Sequence, residues 1–140
     1  MEQDSMGTGT SVLIVEDNES MREVLALILS RRGHRCETAA NGREAMEKIE
    51  QGSFDAVVTD VEMPEMDGIA LTNELTRHHP HLPVMIITGS WDDCHMELAL
   101  TTCGAREFLK KPFDVSEFVA KFHKMLFSQS PASDLTEQRR

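Results

Sequence analysis

Two kinds of apolar pattern alternate along residues 11–127, and this alternation constrains the fold more than any other feature of the chain. One is a short run rich in β-branched residues, and the other is a longer stretch with apolar residues three and four positions apart. Near-continuous short runs are typical of parallel strands that are covered on both faces. The short runs lie at residues 11–16, 35–39, 55–60, 83–88 and 107–110. The second run is more polar than the others, which favours an edge position in the sheet.

The longer stretches predict amphipathic helices, because residues three and four apart share one helix face. Three apolar stripes are clear: Met21, Val24, Leu25, Ile28 and Leu29; Ala45, Met46 and Ile49; and Phe118, Phe122 and Met125 with Val119 and Leu126 alongside. Strict alternation of five strands with five helices predicts right-handed crossovers and a doubly wound parallel sheet in three α/β/α layers.

Capping signals mark several of these helix ends. An N-cap residue is followed by an acid at the third helical position in two places, Asn41 with Glu44 and Asp114 with Glu117. Glycines follow three stripes, where a left-handed residue is expected to end the helix: Gly33, Gly52 and Gly104.

The length of 140 residues suits one domain, which we assign to residues 11–127. Residues 1–10 and 128–140 are polar and unpatterned, so we expect flexible segments, the second being a tail or the start of a linker. The first ten residues lack the basic and apolar regions of a secretory signal, and no apolar run approaches about 18 residues. A cytoplasmic location is therefore expected.

The formal net charge of −10, with no Lys/Arg cluster longer than two residues in the body of the domain, argues against direct contact with nucleic acid, because phosphate binding needs concentrated positive charge. It favours a cation or a basic partner surface instead. Cys36, Cys94 and Cys103 have no metal or redox spacing, so we expect reduced core or helix cysteines.

Charged and hydroxyl residues stand at the carboxyl ends of four predicted strands, the edge where ligands bind in open parallel sheets. They are Glu16 and Asp17, Asp60, Thr88, and Lys110 with Lys111. Three neighbouring carboxylates repel one another unless a cation neutralises them, and oxygen ligands suit Mg²⁺. The alternative for the first two is that they are helix-entry acids that complement the helix dipole.

The string DVEMPEMDG, which begins at Asp60, resembles the loop around the phosphoacceptor aspartate of response-regulator receiver domains of two-component systems. VLIVEDN at the first strand, MIITGS at the fourth and GAREFLKKPF at the fifth match the same family in the same order. The resemblance covers about residues 12–127 and implies the flavodoxin-like (βα)5 receiver fold. In the matching loop, Pro64 and Gly68 are expected to shape the backbone.

By this resemblance, Asp60 is the nucleophile that forms an aspartyl phosphate. Glu16 and Asp17 would hold Mg²⁺ together with Asp60 and the backbone carbonyl of Glu62. The Glu62 side chain is a departure that could hinder an incoming donor or water, whereas Gly89 should leave the pocket open.

The resemblance also assigns Thr88 and Lys111 to phosphoryl oxygens. Lys111 is preferred to Lys110 because it directly precedes Pro112, as in the family, and adjacent strand residues point to opposite faces. In the family, the threonine moves and an aromatic residue of the fifth strand turns inward. That position is Phe108, which lacks the hydroxyl of a tyrosine. The affected surface would be the fourth helix, fifth strand and fifth helix.

The resemblance implies a switching protein phosphorylated by a sensor histidine kinase or phosphotransfer protein, which then docks an effector or its own output domain. Catalysis would be limited to self-phosphorylation and autodephosphorylation at Asp60, with no membrane or direct nucleic-acid partner. A homodimer through the switching face stays open.

Four other interpretations also stay open. The chain could be a receiver fragment of a longer regulator, for example a DNA-binding one, or a receiver that is never phosphorylated. An aspartyl-phosphate hydrolase would commonly need an aspartate where Glu62 stands. A flavin carrier would need a Ser/Thr/Gly-rich phosphate cradle where Glu16 and Asp17 stand. The histidines His78, His79 and His81 predict only a solvated turn.

Overall fold

Five parallel strands form one sheet in the computed structural model, which describes residues 9–89 and 102–127. The strands are β1 Ser11–Val15, β2 Arg35–Ala39, β3 Ala56–Asp60, β4 Val84–Thr88 and β5 Glu107–Lys110. Their order across the sheet is β2-β1-β3-β4-β5, and every neighbouring pair is parallel. The five predicted runs are therefore confirmed with ends displaced by at most one residue, and the polar second strand lies at an edge as predicted.

Four helices connect or follow these strands within the described residues. They are α1 Glu19–Ser30, α2 Gly42–Gln51, α3 Gly68–His78 and α4 Val115–Phe127. The helix predicted between β4 and β5 falls mostly outside the described residues. No helix in the described part of the chain is long and apolar enough to span a membrane.

Apolar side chains pack on both faces of the sheet, because successive strand residues point to opposite sides. On one face, α2 and α3 cover the strands through residues that include Ile49, Leu71 and Leu75. On the other face, α1 and α4 cover them through residues that include Leu25, Leu29, Phe118 and Phe122. The two buried clusters confirm the doubly wound, three-layer arrangement.

The stripe predicted for α1 is wider than the face that the helix buries. Leu25 and Leu29 are 2% and 0% exposed, whereas Val24 is 49% exposed. Met21 and Ile28 lie half-buried at the edge of the contact. The assignment of Val24 to the core face was wrong, because an apolar residue adjoining a stripe still points outward when no neighbouring element covers it.

The predicted N-caps are present. The Asn41 side chain accepts a hydrogen bond from the Glu44 amide at 2.8 Å, and the Glu44 carboxylate accepts one from the Ala40 amide at 2.9 Å. The Asp114 side chain likewise accepts from the Glu117 amide at 2.8 Å. These bonds satisfy amides that have no partner within a helix.

Two of the three predicted glycine caps have the left-handed conformation. Gly33 has φ 93° and Gly104 has φ 95°. Gly52 has φ −131°, so its prediction was wrong. Its amide still bonds the Lys48 carbonyl at 2.9 Å, and the chain then leaves α2 in an extended conformation without a left-handed turn.

Two of the three cysteines lie in the described residues as free thiols, consistent with the predicted reduced core cysteines. Cys103 is buried and Cys36 is half-buried, and burial raises the pKa of the Cys36 thiol to about 11. Cys94 lies outside the described residues.

The amino edge of the sheet carries two open cavities. One, of about 540 Å³, is lined by residues that include His78, His79 and His81. His81 is exposed in a turn, as predicted. His78 is exposed too, but it is the last residue of α3 and lies 3.3 Å from the Glu74 carboxylate, and His79 is half-buried, so the predicted solvated turn is only partly present. The second cavity, of about 420 Å³, is lined by residues from both ends of the described chain, including Thr10 and Phe127.

Candidate functional site

Three carboxylates converge at the carboxyl edge of the sheet. Glu16 and Asp17 follow β1, and Asp60 ends β3. Val15 is paired with Thr59 across these neighbouring strands, which places Glu16 and Asp60 at the same level. One oxygen of each carboxylate lies within 4.8 Å of one oxygen of the others. Glu16 and Asp60 are buried, whereas Asp17 is exposed.

Backbone contacts fix the position of Glu16. Its amide donates to the Ala39 carbonyl on β2 at 3.0 Å, and one of its carboxylate oxygens accepts from the Asn18 amide at 3.2 Å. Asn18 in turn caps α1, since its side chain accepts from the Met21 amide at 2.8 Å. The acidic turn is thus held between the sheet and the start of a helix.

Arg22 provides a further restraint that sequence reasoning missed. Its Nη1 donates to the backbone carbonyl of Glu16 at 2.9 Å. The available signal was an arginine in the first turn of α1, where the helix dipole favours acids over bases. A base at that position indicates a specific partner.

Lys111 reaches the acidic cluster from β5. Its Nζ lies 3.7 Å from Glu16 Oε1 and 3.6 Å from Asp60 Oδ2, and its side chain is 28% exposed. Its amide donates to the Thr88 carbonyl at 2.8 Å, and its peptide bond to Pro112 is cis. Lys110 is exposed. Lys111 is thus the lysine at the cluster, as the resemblance implied.

The electrostatics of the cluster follow from its burial. Loss of solvent raises the pKa of Glu16, and the nearby Asp60 charge adds to this, while the Asn18 amide and Lys111 oppose it. Burial likewise raises the pKa of Asp60, against the opposing effects of Lys111 and the Val61 amide. One ammonium therefore does not fully compensate the carboxylates. A site with only oxygen donors and excess negative charge fits a hard divalent cation such as Mg²⁺.

The loop after β3 is shaped around Asp60. The Val61 amide donates to Asp60 Oδ1 at 2.8 Å, and the Gly68 amide donates to the Val61 carbonyl at 2.9 Å. A Cβ atom on Gly68 would collide with the backbone carbonyl of Asp60. The tight entry predicted at Gly68 is thus present, and it depends on close approach to the strand. Glu62 is exposed at the start of the loop.

Thr88 and Phe108 occupy the strand positions predicted for them. Thr88 is fully buried at the carboxyl end of β4, the strand next to β3. Phe108 is half-buried on β5 and packs against the core on the α2–α3 face. Their roles toward a phosphoryl group and in switching stay predictions, and the predicted fourth helix of the switching face lies mostly outside the described residues.

The strand order and the acidic cluster with its lysine define a doubly wound α/β domain whose carboxyl edge suits a divalent cation and an anionic group. The family model described as "Response regulator receiver domain" matches residues 12–123. The chain belongs to this family.

Sequence relatives are longer regulators. The chain is 38% identical over 109 residues to the DNA-binding transcriptional regulator NtrC of Escherichia coli K12, covering 78% of this chain and 23% of that protein. It is 35% identical over 120 residues to the response regulator MprA of Mycolicibacterium vanbaalenii, covering 86% and 52%. The chain thus spans from about a quarter to about half the length of these relatives.

Solved structures show the same fold. The chemotaxis protein CheY4 of Vibrio cholerae has a TM-score of 0.79 and 28% identity, with 85% of this chain and all of that one covered. The response regulator TrrA of Thermotoga maritima, solved in complex with Mg²⁺ and beryllium fluoride, has a TM-score of 0.76 and 30% identity, with 84% and 99% covered.

Proposed function

We propose that Asp60 accepts a phosphoryl group from a sensor histidine kinase or a phosphotransfer protein, with Mg²⁺ bound beside it. The observation that carries this proposal is a buried carboxylate with an ammonium 3.6 Å away and two further carboxylates around it. A flavin carrier would need a Ser/Thr/Gly-rich phosphate cradle after β1, where Glu16 and Asp17 stand and would repel a flavin phosphate.

The two oxygens of Asp60 have different surroundings. Oδ1 accepts the Val61 amide, whereas Oδ2 faces Lys111. We assign the attack to Oδ2. This oxygen forms a bond to phosphorus while the bond from phosphorus to the donor breaks, and the donor leaves with that electron pair. An acyl phosphate on Asp60 is the product.

Lys111 would neutralise charge on a phosphoryl oxygen, and the position of its ammonium 3.6 Å from Asp60 Oδ2 supports this role. The Thr88 hydroxyl, from the end of the adjacent strand, would donate to another oxygen. Phosphoryl transfer depends mostly on such positioning and charge neutralisation.

Mg²⁺ would be held by Glu16, Asp17 and Asp60, with the backbone carbonyl of Glu62 as a further ligand. When bound, it would neutralise the clustered carboxylates and the incoming phosphoryl group. The complex of the Thermotoga relative with Mg²⁺ and beryllium fluoride supports this assignment. The contacts of Glu16 with Ala39, Asn18 and Arg22 would keep the ligands in place without the ion.

Phosphorylation would act on partners through movement of Thr88 and Phe108 and of the surface next to β5 and α4. A chemical change that biases one of two states is a common switching device. The relatives are longer than this chain, so the output is either a separate effector or an output domain such as a DNA-binding one. We place the protein in the cytoplasm and assign it no enzymatic activity beyond formation and hydrolysis of its own acyl phosphate.

The direct test is mass spectrometry of the intact protein after incubation with a small acyl-phosphate donor, with Mg²⁺ or with EDTA. We expect one phosphoryl group in the wild type with Mg²⁺, and none with EDTA or in Asp60→Asn. Glu62→Gln is the matched control, since it removes an exposed acid two residues away and should still be phosphorylated. Phosphorylation of Asp60→Asn, or none in a folded wild type, would contradict the proposal.

A further inference from the structure

Two histidines meet on the side of the sheet that α1 and α4 cover. His34 lies between α1 and β2, and His123 lies in α4, 89 residues later. Their Nε2 atoms are 3.0 Å apart. The ring centroids are 5.2 Å apart, which is close to the sum of the contact between the nitrogens and the distance from each ring centre to its nitrogen. The two nitrogens therefore point at each other almost in line, which is the geometry of a hydrogen bond.

His34 is buried, with 5% of its surface exposed, and its second ring nitrogen, Nδ1, has no hydrogen-bond partner among the described residues. A neutral imidazole carries one N–H and one acceptor nitrogen. The favourable neutral arrangement therefore places the hydrogen of His34 on Nε2, which donates to Nε2 of His123. The unpartnered Nδ1 of His34 is then a lone pair, and the hydrogen of His123 is on its own Nδ1.

Uptake of one proton disturbs this arrangement. If the Nε2–H···Nε2 bond is kept, it holds a single hydrogen, so both Nδ1 atoms must carry the others. One hydrogen then sits on the buried Nδ1 of His34, where no acceptor receives it, and a positive charge is buried with it. With two protons bound, two N–H groups face each other and the hydrogen bond is lost.

The surroundings do not offset the added charge. Burial lowers the pKa of His123, and Arg32, two residues beyond the end of α1, lowers it further. Burial and the proximity of His123 lower the pKa of His34. From β2, the Cys36 thiol contacts the His34 carbonyl and stays protonated near neutral pH. Within the described residues, no carboxylate forms an ion pair with either ring.

Packing couples the pair to the last helix. The ring of Phe122 meets that of His34 edge-on at 5.3 Å between centroids, and Phe127 contacts His123 at 5.6 Å. Phe122 is itself fully buried in the core on this face. A displacement of His123 from His34 would therefore loosen the second half of α4 from the α1–β2 turn.

We propose that the His34–His123 hydrogen bond is a proton-sensitive contact that holds α4 against the α1–β2 turn while both rings are neutral. Mild acidification releases it and frees the carboxyl-terminal half of α4. α4 is the last helix in the described part of the chain, and its release does not depend on phosphorylation of Asp60.

The linkage has a definite sign. The lowered pKa of each ring means that the folded protein binds fewer protons than the unfolded chain below the ordinary histidine value of about 6.5. The stabilisation is therefore complete above that pH and is lost as the pH falls toward the lowered pKa values. The raised pKa values of Glu16 and Asp60 have the opposite effect, because they make the folded state more stable as the pH falls. This effect is the same in every variant compared, so it cancels in the comparison.

The test compares thermal unfolding of the wild type, His123→Gln and His81→Gln from about pH 7.5 to about pH 5.5. Gln at position 123 can still accept from His34 but takes up no proton. We expect the Tm of the wild type to fall by roughly 3 °C more than that of His123→Gln. The exposed His81 is the control, and His81→Gln should behave like the wild type. Equal falls for the wild type and His123→Gln would overturn the proposal.

A second measurement needs no variant. In an NMR titration of the wild type, the ring signals of His34 and His123 should move together and at a pH below the ordinary histidine value of about 6.5. Amide-exchange protection in the second half of α4, corrected for the intrinsic rate, should fall over the same range while that of β3 is unchanged. Titration of His34 at or above about pH 6.5, or protection of α4 that does not follow pH, would overturn the proposal.

Discussion

At the scale of single residues, Lys111 is placed between two partners without a close bond to either. Its ammonium is 3.7 Å from Glu16 and 3.6 Å from Asp60, both longer than a good N–H···O hydrogen bond. A group in this position exchanges partners at little cost. An anionic oxygen that arrives at Asp60 would therefore find the Lys111 ammonium nearby and without a short hydrogen bond to either carboxylate.

The first prediction at this scale concerns the two adjacent lysines. Lys111→Met should abolish the rise in Tm that beryllium fluoride with Mg²⁺ produces, because the ammonium that neutralises the bound anion is lost. Lys110→Met removes the same charge from an exposed neighbour and should keep the rise. Differential scanning fluorimetry of both variants with and without fluoride measures the effect. An equal response of the two variants would contradict the assignment of Lys111.

At the scale of secondary-structure elements, the junction between β3 and α3 is tightly packed. Gly68 begins α3 directly over the backbone of Asp60, so that a side chain at this position would collide with the end of β3. The helix is also capped at this point, where Asp67 accepts from the Ala70 amide at 2.8 Å. The position of Asp60 therefore depends on a glycine eight residues later.

Gly68→Ala should lower the free energy of unfolding by about 2–3 kcal/mol, because the added methyl meets backbone that cannot move aside. Gly52→Ala is the matched control. Its φ is −131°, and a Cβ there would be 3.5 Å from the nearest atom, an ordinary contact. It should change stability by less than about 0.5 kcal/mol. Urea unfolding of both variants measures the difference, and similar values would contradict this account of the junction.

The elements themselves were largely predictable, because apolar periodicity and capping residues act locally. The five strands and the caps at Asn41 and Asp114 are examples. The failures have a common cause. Whether Val24 is covered and how the chain leaves Gly52 depend on neighbouring elements, which local patterns do not encode.

The candidate site was likewise predictable where the sequence pattern determines it and not where contacts between elements do. Glu16, Asp60 and Lys111 could be brought together because parallel strands share one carboxyl edge, and a family motif marked them. Arg22 and the pair of His34 with His123 were missed, since these contacts depend on how helices sit on the sheet. The burial of His34 and His123 could not be predicted from their neighbours in sequence.

At the scale of the whole molecule, three carboxylates held together without a cation reduce the stability of the native state. Burial and mutual repulsion raise the pKa of both Glu16 and Asp60, and the Asp17 charge contributes to each. In the unfolded chain these groups separate. A cation that binds only the folded cluster should therefore stabilise the whole domain.

We expect Mg²⁺ at about 100 times its Kd to add roughly 2.7 kcal/mol to the free energy of unfolding. Asp17→Asn should lose most of this gain, yet be no less stable than the wild type without Mg²⁺, because repulsion is relieved. Glu62→Gln should keep the gain. Thermal unfolding at constant ionic strength, with Na⁺ replacing Mg²⁺ as the control, measures these values. A wild type indifferent to Mg²⁺ would contradict the metal site.

The two ends of the described chain leave the domain on one side. Thr10 precedes β1 and Phe127 ends α4, and both line the same cavity at the amino edge of the sheet, opposite the acidic cluster. A fluorescent protein, an affinity handle or a surface anchor joined at either end would therefore stand away from the mouth of the pocket. The domain is suited to immobilised or ratiometric sensing of ligands of the acidic cluster, with the tether at the opposite edge of the sheet.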